Sequence, residues 1–105
     1  MIGKGGLMSD SAWTFLTNHA HVLVCIHRDP DARLRDLAEA VGITERAVHR
    51  IVHDLSEEGY LEVSREGRRN HYRVAAGQHL RHPIEASSTV AMLLALGGAG
   101  GKTPA

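Results

Sequence analysis

The sequence predicts a fold that is mainly α with a small β-hairpin, closed by a C-terminal helix. Three observations predict it. Two short amphipathic segments, one ending at Val41 and one opening at Thr44, flank a single glycine. Two short strand-like runs, Tyr60–Ser64 and His71–Val74, flank a polar turn containing Gly67. A last apolar segment begins at Pro83. A chain of 105 residues fits one domain with one modest core. Trp13, Phe15, Tyr60 and Tyr72 are its only aromatics, so that core must be aliphatic.

Residues 1–10 are glycine-rich and expected to be disordered. Residues 11–76 are expected to form the main domain, residues 77–97 a linker and final helix, and residues 98–105 a flexible tail. Ser11 to Arg28 reads as a first helix, with Thr17-Asn18 as an alternative capped start. Asp29-Pro30-Asp31 stops it, because proline cannot continue a helix and disfavours a helical residue before it. Arg35 to Val41 is a short helix, with Leu34, Leu37, Ala38 and Val41 at three- and four-residue spacing. Gly42 stands where a left-handed helix end is expected. Thr44 reads as the N-cap of a third helix running to Glu58, with Val48, Ile51, Val52 and Leu55 as its buried stripe. Gly59 ends that helix. The hairpin follows, with Glu66 to Asn70 as its turn and Tyr72 and Val74 facing the same way. Pro83 to Leu96 reads as the final helix, with proline in its first turn.

Leu34 to His53 is the informative stretch. Two helices crossing steeply need a small residue at the closest approach, supplied by Ala38. They need a glycine where the turn has positive φ, supplied by Gly42. Ile43 fills the space under the turn, and Val48 and Ile51 pin the second helix. Any one of these is weak, but the joint pattern is that of a helix-turn-helix. The stretch from Asn18 to Val74 resembles winged helix-turn-helix regulators of the MarR and ArsR type. The resemblance rests on Leu37-Ala-Glu-Ala-Val-Gly-Ile-Thr44 followed by Val48, Val52 and Leu55-Ser-Glu-Glu-Gly-Tyr-Leu61. The segment Arg65-Glu-Gly-Arg-Arg-Asn-His-Tyr-Arg-Val74 looks like their wing hairpin. The phrase Trp13-Thr-Phe-Leu-Thr-Asn-His19 resembles a narrower group of short actinobacterial-type regulators. The resemblance implies a winged helix-turn-helix with a C-terminal dimerisation helix, acting as a sequence-specific double-stranded DNA-binding transcriptional regulator.

Side-chain direction gives the expected contacts. With Val48, Val52 and Leu55 inward, Thr44, Glu45, Arg46, His49, Arg50 and His53 face outward and would enter the major groove. Arg46 and Arg50 can each offer a bidentate fork to guanine, and Glu45 can accept from cytosine. Arg68 and Arg69, expected at the wing tip, would reach backbone or minor groove. Arg65 and Arg73 would add phosphate contacts. The formal net charge of zero hides this polarity. Five arginines between Val63 and His82 face Glu66 alone, while acid gathers at Asp29/Asp31, Asp36/Glu39 and Asp54/Glu57/Glu58. The bland alternative pairs Arg46 and Arg50 with Glu45 or Asp54 on the helix surface. The rival function is a winged-helix protein-interaction module without DNA binding, which would leave the arginines of the third helix and wing unexplained.

Other features narrow the field. The apolar side chains of the last helix, Val90, Leu93, Leu94 and Leu96, are expected to pack against a second copy, giving a homodimer and a palindromic operator. Trp13 and Phe15 are expected to be buried in the core or by that partner. Eight histidines are present, with His49/His53, His19/His21 and His79/His82 as partial pairs. No further ligand completes a metal site, and no cofactor is expected. Cys25 sits among apolar residues as a structural thiol. The sequence shows no phosphate loop, nucleophile–base pair or carboxylate dyad, which argues against an enzyme. It has no apolar run of membrane-spanning length and no signal-peptide pattern, so a cytoplasmic location is expected.

Overall fold

The computed structural model describes residues 13–97, so the expected disordered start and flexible tail lie outside the described residues. Element order is α1 (Asn18–Arg28), α2 (Leu34–Val41), α3 (Glu45–Glu57), β1 (Leu61–Glu66), β2 (Arg69–Val74) and α4 (Val90–Ala95). The helix expected from Ser11 begins only at Asn18. Thr17 caps it, its hydroxyl accepting from the Ala20 N–H at 3.3 Å, and a side-chain acceptor there marks a helix start rather than a continuation. Asp29 closes α1, its N–H reaching the Cys25 and Ile26 carbonyls.

The turn between α2 and α3 forms as its residues dictate. Asp36 accepts from the Arg33 N–H at 3.2 Å and so secures the start of α2. At its end Gly42 adopts φ 88°, and the Gly42 and Ile43 N–H groups both donate to Ala38, at 2.8 and 3.1 Å. Thr44 caps α3 by accepting from the Ala47 N–H at 3.0 Å. Val48, Ile51 and Leu55 are buried, while Val52 is only half-buried at the edge of that stripe. Gly59 at φ 81° turns the chain out of α3.

The hairpin is tighter than expected. Its antiparallel register runs from Leu61↔Val74 to Glu66↔Arg69, leaving only Gly67-Arg68 as the turn. Gly67 has φ 68°, the positive value that the first position of a two-residue hairpin turn requires. Arg69 is therefore in β2 rather than at the tip. The Tyr72 N–H donates to the Pro30 carbonyl at 3.0 Å, so the α1–α2 turn lies alongside β2. Tyr72 itself is the one aromatic in the buried core.

The C-terminal segment departs most from expectation. Residues 83–88 are turns, and α4 is six residues long. Ser87, Ser88 and Thr89 favour local hydrogen bonds over helix, which delays the start to Val90. The stretch before α4 is tied down rather than a free linker. The Leu80 N–H donates to Ser88 at 3.0 Å, the Val90 N–H to Gln78 at 2.9 Å, and the Tyr60 hydroxyl to His79 at 2.8 Å. Val90 and Leu94 are buried in the chain's own core, packed with α1. They are therefore unavailable to a second copy, contrary to expectation.

A Cβ at Gly42 would meet nothing within 4 Å, so the positive φ alone restricts the position. Gly42→Ala should then destabilise by about 1–2 kcal/mol, and Gly42→Asn by less, because asparagine tolerates the left-handed region. Denaturant titration measures both. Equal stability of all three chains would mean that the turn does not hold this conformation.

Candidate nucleic-acid interface

Burial fixes the rotation of α3 about its own axis. With Val48, Ile51 and Leu55 against the core, Thr44, Glu45, Arg46, His49, Arg50 and His53 are all exposed. Asn18, His19, Thr44, Arg46, Ala47, His49, Arg50, Ile51 and His53 line one open hollow along this face. Among the described residues neither Arg46 nor Arg50 forms an ion pair. Asp54, the acid one turn beyond Arg50, is instead bonded to His19 of α1, with His19 Nε2 2.9 Å from Asp54 Oδ2. That bond, chiefly, holds the Asp54 carboxyl below its ordinary value.

The wing arginines divide into two kinds. Arg65 and Arg68 are exposed and make no side-chain hydrogen bond among the described residues. Arg73 faces Glu62 across the strand pair, its Nη2 2.8 Å and its Nε 3.3 Å from Glu62 Oε1. Arg69 Nη2 donates to the Asp31 backbone carbonyl at 3.0 Å. The structure thus leaves Arg65 and Arg68 open to a ligand, while Arg73 and Arg69 already hold partners. The expectation that Glu66 alone opposes the wing arginines fails, because register brings Glu62 to Arg73.

Sequence reasoning missed Arg33. It is exposed at the start of α2, and it lines a concavity with Arg65, Arg68 and Asn70 of the wing. An arginine ending a polar turn carries no signal by itself; only the packing of that turn against β2 brings it there. Also missed was His71, whose Nδ1 lies 2.7 Å from Asp31 Oδ1. This hydrogen bond, reinforced by the Asp31 and Glu66 charges, raises the His71 pKa above the usual histidine value.

Other expected features fall elsewhere. Trp13 and Phe15 are exposed, their rings meeting edge to face at 4.8 Å. Among the described residues, no three His, Cys, Asp or Glu side chains are grouped to hold a metal ion. Cys25 is half-buried, and burial raises its thiol pKa against the opposing influence of Arg28. No helix of the described residues is long and apolar enough to cross a membrane.

The MarR family model matches residues 14–70, more than half of the chain. Among solved structures, the PcaV transcriptional regulator from Streptomyces coelicolor, solved in complex with its natural ligand, is similar at a TM-score of 0.51 and 19% identity. The match covers 77% of this chain and 59% of that one, so this chain spans less than two thirds of PcaV. That likeness shows the winged-helix fold. No curated protein sequence matches the chain.

The His71–Asp31 pair has a pH signature. Its folded-state pKa is raised, so its stabilisation is full below the unfolded value near 6.5 and is lost as pH rises through the higher folded value. Wild type and His71→Asn should differ most in melting temperature near pH 5.5 and converge toward pH 8.5. Thermal melts across that range, with the His71 ring titrated by NMR, check it; a gap that widens with pH would contradict the pairing.

Proposed function

The chain belongs to the MarR family of transcriptional regulators, and we propose that it regulates by sequence-specific binding of double-stranded DNA. In this reading α3 enters the major groove and the hairpin wing rests on the backbone or in the adjacent minor groove. One observation carries it. Arg46 and Arg50 stand exposed and without ion pairs, among the described residues, on the face of α3 opposite its buried stripe. An exposed guanidinium without a carboxylate adds little to folding, whereas its fork matches the O6 and N7 acceptors of guanine. Thr44, Glu45, His49 and His53 complete the base-facing side. Arg65 and Arg68 supply wing contacts to phosphate or the minor groove. Arg69 and Arg73 reach DNA only by sharing or exchanging their present partners.

The regulator is proposed to act as a homodimer on a palindromic operator. Two copies would present their recognition helices about 34 Å apart. The surface available for pairing differs from the one expected from sequence. Phe15, Met92 and Leu96 are exposed and line one apolar cleft, and Trp13 packs on Phe15. Exposed apolar groups gathered this way favour association. A cytoplasmic location follows from the role and is part of the same proposal.

Two measurements test this reading. Operator duplexes selected from a random pool should bind with a steep loss of affinity as salt rises. Arg50→Ala should cost on the order of 1–3 kcal/mol on the selected site and relax its base preference. Arg68→Ala should weaken all duplexes alike and lower the salt slope by about 1. No retention of any duplex at low salt would reject DNA binding and favour a protein-interaction module. For the dimer, analytical ultracentrifugation of Leu96→Glu and Phe15→Ser should show a monomer where the unaltered chain sediments as a dimer. A monomeric unaltered chain, or variants that remain dimeric, would reject this interface.

A further inference from the structure

Asp31 is an acid in an awkward place. It lies in the α1–α2 turn, and it lines the same concavity as Arg33, Arg65 and Arg68. For a surface meant to meet phosphate, a carboxylate there opposes binding. Its contacts supply a reason for it. Asp31 Oδ1 is 2.7 Å from His71 Nδ1, and the Asp31 carbonyl accepts from Arg69 Nη2 at 3.0 Å. Beside them the Tyr72 N–H donates to the Pro30 carbonyl at 3.0 Å. Three successive bonds thus join one turn to alternating and adjacent positions of β2. The sheet is a two-stranded ribbon, with no further strand to brace the wing from outside.

We infer that Asp31 is a positioning residue for the wing: by holding His71, with its backbone holding Arg69, it fixes the angle of the hairpin and so aims Arg65 and Arg68. The inference rests on the DNA-binding reading for its consequence, though not for the clasp itself. Arg69 then belongs to the clasp rather than to the set of free wing cations. The charged groups around His71 are Asp31 from the turn, Glu66 at the end of β1 and Arg69 on its own strand. Ser64, its partner across the strands, donates to the His71 carbonyl.

Charge and positioning predict opposite signs, which makes the test sharp. Removing an acid beside a phosphate-binding surface should tighten duplex binding if charge alone acts. Loss of aim should weaken it. Asp31→Ala is expected to weaken binding of the selected operator by about two- to fivefold, the range of an exposed ion pair. The weakening should be largest near pH 6 and shrink toward pH 8.5, as His71 loses its proton. In an Arg65→Ala/Arg68→Ala background, which lacks both aimed groups, Asp31→Ala should no longer weaken binding. His71→Gln provides a second, milder variant and should behave as Asp31→Ala does. Amide hydrogen exchange gives a readout independent of DNA: both variants should speed exchange at residues 66–72 and leave α3 unchanged. Unchanged exchange in the wing would overturn the clasp. Faster exchange with unchanged or tighter duplex binding, or an equal loss in the Arg65→Ala/Arg68→Ala background, would overturn the aiming role. If the unaltered chain retains no duplex at all, the DNA reading and the aiming role fall together, and exchange alone decides the clasp.

Discussion

The rotational setting of α3 is the constraint on which the remaining structure depends. A helix turns about 100° per residue, so burying Val48, Ile51 and Leu55 leaves no freedom in where positions 46, 49, 50 and 53 point. The turn before it serves the same end. Gly42 at φ 88° and the Thr44 cap fix where α3 begins, and a start displaced by one residue would carry Arg46 and Arg50 a quarter turn around the helix. The His19–Asp54 bond adds a tether from α1 to the same helix, and it occupies the acid that lies one turn beyond Arg50. Aliphatic packing and one polar bond together keep the guanidinium groups exposed and, among the described residues, without ion pairs.

That arrangement explains how a chain with no net charge carries a cationic face. Charge is sorted by pairing rather than by number. Glu62 takes Arg73 and Asp54 takes His19, while the Asp31 turn takes Arg69 and His71. Among the described residues, those exposed without a side-chain ion pair on the α3, wing and α2-start side include Arg33, Arg46, Arg50, Arg65 and Arg68. A count over sequence windows misses this, because the pairs that matter join residues 11, 35 and 40 positions apart.

Legibility followed the range of the interaction. The α2–glycine–α3 unit was readable because its determinants are local: apolar spacing, a cap and one residue needing positive φ. The existence of the hairpin was readable for the same reason. Its two-residue turn was not, since Glu66 and Arg69 join strands only once the register is set by Leu61 and Tyr72 in the core. The apolar residues from Ile84 onward suggest a longer last helix, whereas Ser87-Ser88-Thr89 and the bonds from Leu80 and Val90 fold that stretch back on the body. For the candidate site, the α3 residues came from periodicity alone. Arg33 and Asp31 required knowing that the α1–α2 turn lies against β2.

The small core also decides which apolar groups remain exposed for the proposed pairing of copies. With so few aromatics the fold recruits every element, including a six-residue terminal helix, to bury enough aliphatic surface. Val90 and Leu94 are used up inside. Arg28 bonds the Gly97 carbonyl, so the end of α1 and the end of α4 are joined as well. Among the described residues the apolar groups left outside include Phe15, Met92 and Leu96 around one cleft, with the Trp13 ring edge to face against Phe15, and Ile84 and Val63 elsewhere. The last helix is thus structural on one side and exposes apolar groups on the other, the side on which the proposed pairing of copies would draw. A substitution at Met92 or Leu96 acts on the outer side alone, whereas one at Val90 or Leu94 disturbs both, because the core loses its packing before any second copy is met.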